Sequence, residues 1–226
     1  SHELRTPVTV LRTYIDTLCN NGDDFDEETK KEFMQTIDTE AKRLHSMVND
    51  ILDFSRLESG NVNLRKEYAN LSELIQQNIK SIQILADEKN IKIAYTQEED
   101  IPNVPINVES IDRAIRNLLS NAIKYSENGK DIQVNLKLSD DKKYAEFSVK
   151  DNGIGIAKEH LEKIFDRFYR VENAVHTVKG TGLGLHLVKM TIEKHHHGKI
   201  LVESKENEGS KFTVFLPVNV DDIELE

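Results

Sequence analysis

Asn117-Leu-Leu-Ser-Asn121-Ala-Ile-Lys124-Tyr125-Ser126 stands near the middle of the chain, followed by Asp151-Asn-Gly153-Ile-Gly155-Ile156 and Gly180-Thr-Gly182-Leu-Gly184-Leu185. Ser1-His2-Glu3-Leu4-Arg5-Thr6-Pro7 opens it. Each string alone is weak evidence, but all of them in this order, at domain-scale spacing, are specific. Over 109–126 the pattern predicts a helix whose buried stripe is Ile111, Ile115, Leu118 and Ala122. Asn117, Asn121 and Lys124 recur at helical spacing and make a polar stripe beside it. Amide oxygens suit a Mg²⁺ that keeps several of its waters, and a lysine offsets phosphate charge. A solvated helix face is the plain alternative.

Asp151 follows a run that reads as a strand and precedes Gly153 and Gly155. A carboxylate at a strand end can accept a hydrogen bond from an exocyclic amine such as adenine's, while glycines let backbone approach a ring or turn sharply. An ordinary Asp-Asn-Gly turn is the competing reading. Gly180, Gly182 and Gly184 open a helix, where free N–H groups and the helix dipole favour phosphate. Their spacing fits neither the Rossmann nor the Walker A pattern, and no Gly-Lys-Ser/Thr follows. About two dozen residues separate the glycine clusters, a length that suggests a lid over a ligand, with Phe165 and Phe168 as its anchors. Arg170 either reaches a terminal phosphate or is a surface arginine.

Residues 1 to about 58 read as helix only. Leu4, Val8, Leu11, Ile15 and Leu18 form a heptad seam, and Ile37, Ala41, Leu44, Val48 and Ile51 repeat it. Between them Gly22 suits a left-handed helix end, and Asp26 with Glu27 and Glu28 caps the next start. One such hairpin has too little core, whereas two copies bury both seams as a four-helix bundle, so a homodimer is expected. Leu4 and Val8 point into the seam, which leaves His2 outward, with Glu3 beside it and Thr6 one turn along the same face. Neutral imidazole is a nucleophile near pH 7, and Glu3 is placed to orient it or take its proton. Pro7 removes one helical hydrogen bond, so a bend is expected there.

Beyond Ser59-Gly60-Asn61 the pattern turns to mixed α/β. Helices are predicted at 71–90, 109–126, 158–166 and 183–196, and strands at 91–96, 131–138, 144–150, 199–204 and 211–216. Because these do not alternate regularly, a mixed sheet with helices on one face is preferred to a doubly wound parallel sheet. The domains expected are 1–61, a helical hairpin; 62–220, the α/β unit; and 221–226, a tail. A net charge of -10 with no basic run argues against a nucleic-acid partner. The single Cys19 suits a reducing compartment, and no apolar run spans a bilayer. The chain begins inside a motif without an initiator Met and reads as a piece of something longer, so membrane attachment is expected only through regions preceding it. His195-His196-His197 invites a metal reading, but consecutive helical residues point apart and no acidic or Cys partner sits nearby.

These strings resemble the cytoplasmic core of the bacterial-type sensor histidine kinases of two-component systems, with wording similar to the Vic/Wal-like kinases and their cyanobacterial or plastid relatives. His2 to Pro7 resembles the H box and Asn117 to Ser126 the N box. Asp151 to Gly155 resembles the G1 box, Phe165-Asp-Arg-Phe168 the F box, and Gly180 to Gly184 the G2 box. The resemblance covers nearly the whole chain. It implies a dimeric helical hairpin plus an α/β sandwich of the gyrase, Hsp90, histidine kinase and MutL type, with ATP and Mg²⁺ as cofactors. It also implies that His2 is phosphorylated at Nε2 with Glu3 as base, and that the phosphate passes to an Asp of a response-regulator receiver domain. By the same resemblance Asn117 and Asn121 hold Mg²⁺, Lys124 and Tyr125 line the phosphates and adenine, Asp151 binds the adenine amine, and Arg170 and the G2 glycines contact the phosphate tail through a mobile lid. His-Glu-x-x-Thr boxes often accompany regulator phosphatase activity, which would fall to Thr6. An ATPase of the same nucleotide fold without histidine transfer, and a degenerate sensor that only binds a regulator, are the alternatives. The chain departs from the family in two places: only Ser1 precedes the histidine, and His197 stands where relatives often carry Gly.

Overall fold

The computed structural model describes residues 2–58, 65–98, 101–171 and 181–219. By contact the chain divides into two units, Ser1–Glu58 and Ser59–Glu226.

The first unit is a pair of helices, α1 (His2–Asn21) and α2 (Glu27–Glu58). Helical backbone continues through Pro7, which is buried. Gly22 does not take the left-handed conformation expected of it. It opens a short 3₁₀ turn instead, and Phe25 N–H donates back to its carbonyl at 3.4 Å. A tight 3₁₀ turn satisfies the last helical carbonyls without positive φ. Asp26 caps α2 as expected, accepting from Thr29 N–H at 2.7 Å, and that bond holds its carboxyl below the usual aspartate value. Tyr14 and Phe25 each meet Phe33 edge-on, at 5.0 and 5.2 Å between centroids. Leu11, Leu18, Ile37 and Leu44 are half-buried, but Val8, Ile15, Val48 and Ile51 of the same seams stay exposed. Part of each seam is therefore uncovered within one hairpin.

The second unit is built on a five-stranded sheet of order β2-β4-β5-β7-β6, from β2 (Ile93–Gln97), β4 (Ile132–Leu138), β5 (Tyr144–Lys150), β6 (Lys199–Lys205) and β7 (Gly209–Pro217). β2 pairs parallel with β4, and all other neighbours are antiparallel. On β5 Ala145, Phe147 and Val149 are buried, Tyr144 and Glu146 are half-exposed and Lys150 is exposed, while Ser148 departs from the alternation and is buried too. The buried face shares one core with α3 (Leu71–Glu88), α4 (Val108–Tyr125) and α5 (Gly184–Lys189). Two three-residue strands, β1 (Glu67–Ala69) and β3 (Val104–Ile106), pair separately and were not expected from the sequence.

Two expected helices are altered. Only Lys158–His160 of the 158–166 segment is helical, as one 3₁₀ turn, because successive N–H bonds there reach back three residues (Lys163 to His160, Asp166 to Lys163). The helix expected at 183–196 is α-helical to Lys189 and then widens to a π-helix, Met190–His195. His196 ends this segment buried, where Nε2 accepts from Asn107 N–H at 3.0 Å. That role puts the ring proton on Nδ1, which donates to the Thr191 carbonyl at 2.7 Å. His197 beside it takes positive φ (53°), the conformation a glycine would adopt there without cost.

Burial pushes His196 down to about 4 from an ordinary value near 6.5, with Lys66, His195 and His197 adding repulsion. The fold therefore holds the neutral ring, whereas the unfolded chain takes up a proton first as pH falls. The stability this residue contributes is intact above about pH 6.5 and declines towards pH 4, by about 3 kcal/mol in total. Thermal melts of wild type and His196→Gln across pH 4–7 check this. The wild type should lose stability more steeply below pH 6.5, and parallel curves would contradict the assignment.

Candidate nucleotide-binding site

α4 carries the first group of candidates. It starts at Asn107, whose Oδ1 accepts from Ser110 N–H at 3.0 Å, and it buries Ile111, Ala114, Ile115, Leu118, Leu119, Ala122 and Ile123. That buried face fixes the rotation of the helix, so Asn117, Asn121 and Lys124 emerge together as a half-buried row. Among the described residues neither Asn117 nor Asn121 makes a side-chain hydrogen bond, so both amide oxygens are available to a cation. The start of α5 faces this row: a Cβ placed on Gly184 would lie 3.4 Å from Asn117 Oδ1. Lys124 Nζ stands 5.5 Å from the centroid of the Tyr125 ring. Burial raises the Tyr125 phenol above its ordinary value, and the charge of the exposed Arg170 opposes this.

Asp151 immediately follows β5 and is 5 % exposed. Its Oδ1 accepts two backbone N–H groups, from Gly153 at 2.9 Å and Ser210 at 3.1 Å. Among the described residues Oδ2 accepts none. Burial raises the carboxyl above the usual aspartate value, and the two N–H donors pull it back. One oxygen thus fixes the group while the other is left to meet a donor.

Gly153 is required by close approach, since a Cβ there would sit 2.2 Å from the Tyr125 carbonyl oxygen. The same carbonyl accepts from Ile154 N–H at 3.2 Å, which staples the loop after β5 to the end of α4. Gly155 has φ +66° and would press a Cβ to 1.9 Å from the Lys205 carbonyl oxygen. Ser210 was missed by sequence reasoning; the only available signal was the Asn-Glu-Gly turn before it. Its N–H holds Asp151 Oδ1 and its carbonyl accepts from Asp151 N–H at 2.8 Å.

Phe165 is buried and meets Phe212 edge-on, and His186 Nδ1–H donates to its carbonyl at 2.9 Å. Phe168 anchors differently from expectation. The residue is 54 % exposed, and its backbone makes the link: at φ +62° its N–H donates to the Gly182 carbonyl at 3.1 Å. The F-box and G2-box strings are thereby joined. Gly180 and the segment 172–180 lie outside the described residues. In the other unit, Thr6 is exposed on α1, and His2 and Glu3 begin that helix with side chains outside the described set.

An α/β unit whose polar helix stripe, buried strand-end aspartate and glycine turns converge on one face defines a nucleotide-binding module of the histidine kinase and Hsp90 class. Residues 106–220 match the family "Histidine kinase-, DNA gyrase B-, and HSP90-like ATPase", and residues 1–60 match the "His Kinase A (phospho-acceptor) domain". The chain belongs to this family, as the catalytic core of a sensor histidine kinase with Wal-like and cyanobacterial relatives. It is 38 % identical to Drug sensory protein A of Synechocystis sp. over 96 % of this chain and 34 % of that protein. To Sensor histidine kinase WalK of Bacillus subtilis it is 32 % identical, over 96 % of this chain and 35 % of the relative. The chain thus spans about a third of the length of these curated relatives. Histidine kinase ThkA, solved in complex with response regulator protein TrrA, is similar with TM-score 0.77 and 25 % identity, over 98 % of this chain and 60 % of that one.

The unbonded Asp151 oxygen yields a test. Asp151→Asn keeps the shape but brings an amide whose donor can face an adenine amine. ATP affinity should fall more than GTP affinity, because GTP lacks that amine. Titration with both nucleotides checks this, and equal losses would remove the adenine role.

Proposed function

We propose that this chain phosphorylates its own His2 from ATP and passes the phosphate to an aspartate of a response-regulator receiver domain. The observation that carries the nucleotide half is Asp151, pinned through one oxygen by Gly153 and Ser210 N–H, together with the unbonded amides of Asn117 and Asn121 on α4. Asp151 Oδ2 accepts from the adenine amine, the Tyr125 ring borders the base, and Lys124 and Arg170 meet phosphate charge. The donor set fits Mg²⁺: neutral amide oxygens that nothing else consumes, which a Mg²⁺ keeping most of its waters needs in small number. Asn117 and Asn121 would hold it, and when bound it neutralises charge on the phosphate oxygens.

The phospho-acceptor half rests on His2, Glu3 and Thr6 and on the family match over residues 1–60. The neutral imidazole Nε2 attacks the γ-phosphorus, the bond to the β,γ-bridging oxygen breaks, and ADP leaves. Glu3 takes the proton from Nδ1. The exposed parts of both seams support a homodimer, in which a second hairpin covers Val8, Ile15, Val48 and Ile51. A receiver domain as partner is supported by the likeness to ThkA, whose structure holds TrrA. Among the described residues no helix is long and apolar enough to cross a membrane. We place the chain as the cytoplasmic portion of a membrane-anchored sensor.

Incubation with γ-labelled ATP tests the proposal. Acid-labile label should appear on wild type and vanish from His2→Gln. Free phosphate without labelled protein would favour the ATPase reading, and neither product would favour a regulator-binding sensor.

Thr6 separates two activities on one helix face. Its hydroxyl would position a water on the aspartyl phosphate of a docked regulator, a task that autophosphorylation does not need. Thr6→Ala should leave autophosphorylation within a few-fold and lower phosphatase activity by ~10-fold or more. Equal decline of both activities, with destabilisation, would instead mark Thr6 as a packing residue of the Pro7 turn.

A further inference from the structure

An α-helix leaves its last four carbonyls without partners inside the helix. At the end of α4 every one of them has a partner. Ala122 O accepts from Ser126 N–H at 3.1 Å, and Tyr125 O accepts from Ile154 N–H at 3.2 Å. The two between them, Ile123 O and Lys124 O, accept from one side chain, Lys89 Nζ, at 2.9 and 3.0 Å. The third ammonium donor reaches Ser126 O at 3.2 Å. Lys89 follows α3 and belongs to none of the boxes. Its backbone is engaged as well, because its carbonyl accepts from Gly129 N–H at 2.9 Å, in the turn that follows α4. No glycine ends α4; Ser126 leaves in extended conformation. A cation therefore stands where a left-handed cap would otherwise stand, at the negative end of the helix dipole.

We infer that Lys89 is a positioning residue for nucleotide binding: by holding the last turn of α4 through three carbonyls, it sets where Lys124 and Tyr125 meet the ligand. The inference rests on the nucleotide reading proposed above. It is carried by convergence. The residues whose carbonyls Lys89 grips directly include Lys124, and Tyr125 lies between two gripped carbonyls. The Tyr125 carbonyl in turn receives the Gly153–Ile154 turn that carries Asp151's loop. A shift of this turn moves the base-binding and phosphate-binding groups together. The side-chain bonds of Lys89 all go to carbonyls at the end of α4, so the effect belongs in affinity and not in turnover.

Lysine's three tetrahedral donors suit three carbonyls around one point, whereas the planar arginine fork does not. Lys89→Met keeps length but removes charge and donors, and Lys89→Arg keeps charge and donors but not their tetrahedral arrangement. Calorimetry with a non-hydrolysable ATP analogue and steady-state autophosphorylation give the readouts, with folding checked by melting. Lys89→Met should raise KM for ATP and Kd for the analogue by about 10-fold or more while kcat stays within about three-fold, as misplaced binding groups would do. Lys89→Arg, which does not depend on the methionine variant folding, should raise both by an intermediate factor. Unchanged KM with kcat falling in step with the folded fraction would overturn the inference, and so would wild-type affinity in Lys89→Arg. If wild type itself fails to bind the analogue, the nucleotide reading falls first and the role of Lys89 with it.

Discussion

Burial of one face of α4 against the sheet is the constraint on which the rest of the site depends. Ile111, Ile115, Leu118, Leu119 and Ala122 are each at most 2 % exposed, so the helix has one rotation open to it. That rotation turns Asn117, Asn121 and Lys124 outward as a row. The ends of the helix are held as firmly as its face: Asn107 caps the start and is tied to the buried His196, and Lys89 closes the last turn. Polar side chains from three separated segments thus fix the helix that presents the half-buried row of Asn117, Asn121 and Lys124.

The loop after β5 is fitted to that helix with no clearance. Tyr125 O receives Ile154 N–H where only a residue without Cβ fits at position 153. The same turn supplies Gly153 N–H to Asp151 Oδ1, and β7 supplies Ser210 N–H. A buried carboxylate is costly unless hydrogen bonds satisfy it. Here two bonds go to one oxygen and leave the other open, an arrangement that a purely structural aspartate would not need.

The sequence carries the parts of this design that repeat or that chemistry restricts. α4 was legible because its apolar residues recur at helical spacing, and β5 because Ala145, Phe147 and Val149 alternate with polar neighbours. Asp151, Gly153 and Gly155 were legible because few residue types serve a tight turn around a carboxylate. β1 and β3 were not, since three residues are too few for a period to show. The π-helix at Met190–His195 keeps a helix-like composition while its hydrogen bonds change register. Gly22 was misread because a short 3₁₀ turn closes α1 without positive φ. Ser210, Lys89 and His196 act through distant backbone groups, which no local pattern announces. The three consecutive histidines invited a metal reading that the sequence already argued against, but nothing in it announced that His196 is buried after a π segment.

The central claim is that Asp151 reads the base through its unspent oxygen while the α4 row meets the phosphates. A crystal structure of this chain with a non-hydrolysable ATP analogue and Mg²⁺ measures it most directly. The adenine amine should lie within hydrogen-bond distance of Asp151 Oδ2, with Oδ1 still held by Gly153 and Ser210 and the phosphates facing Asn117, Asn121 and Lys124. A purine bound away from Asp151, or an Asp151 that turns both oxygens to backbone donors, would contradict it.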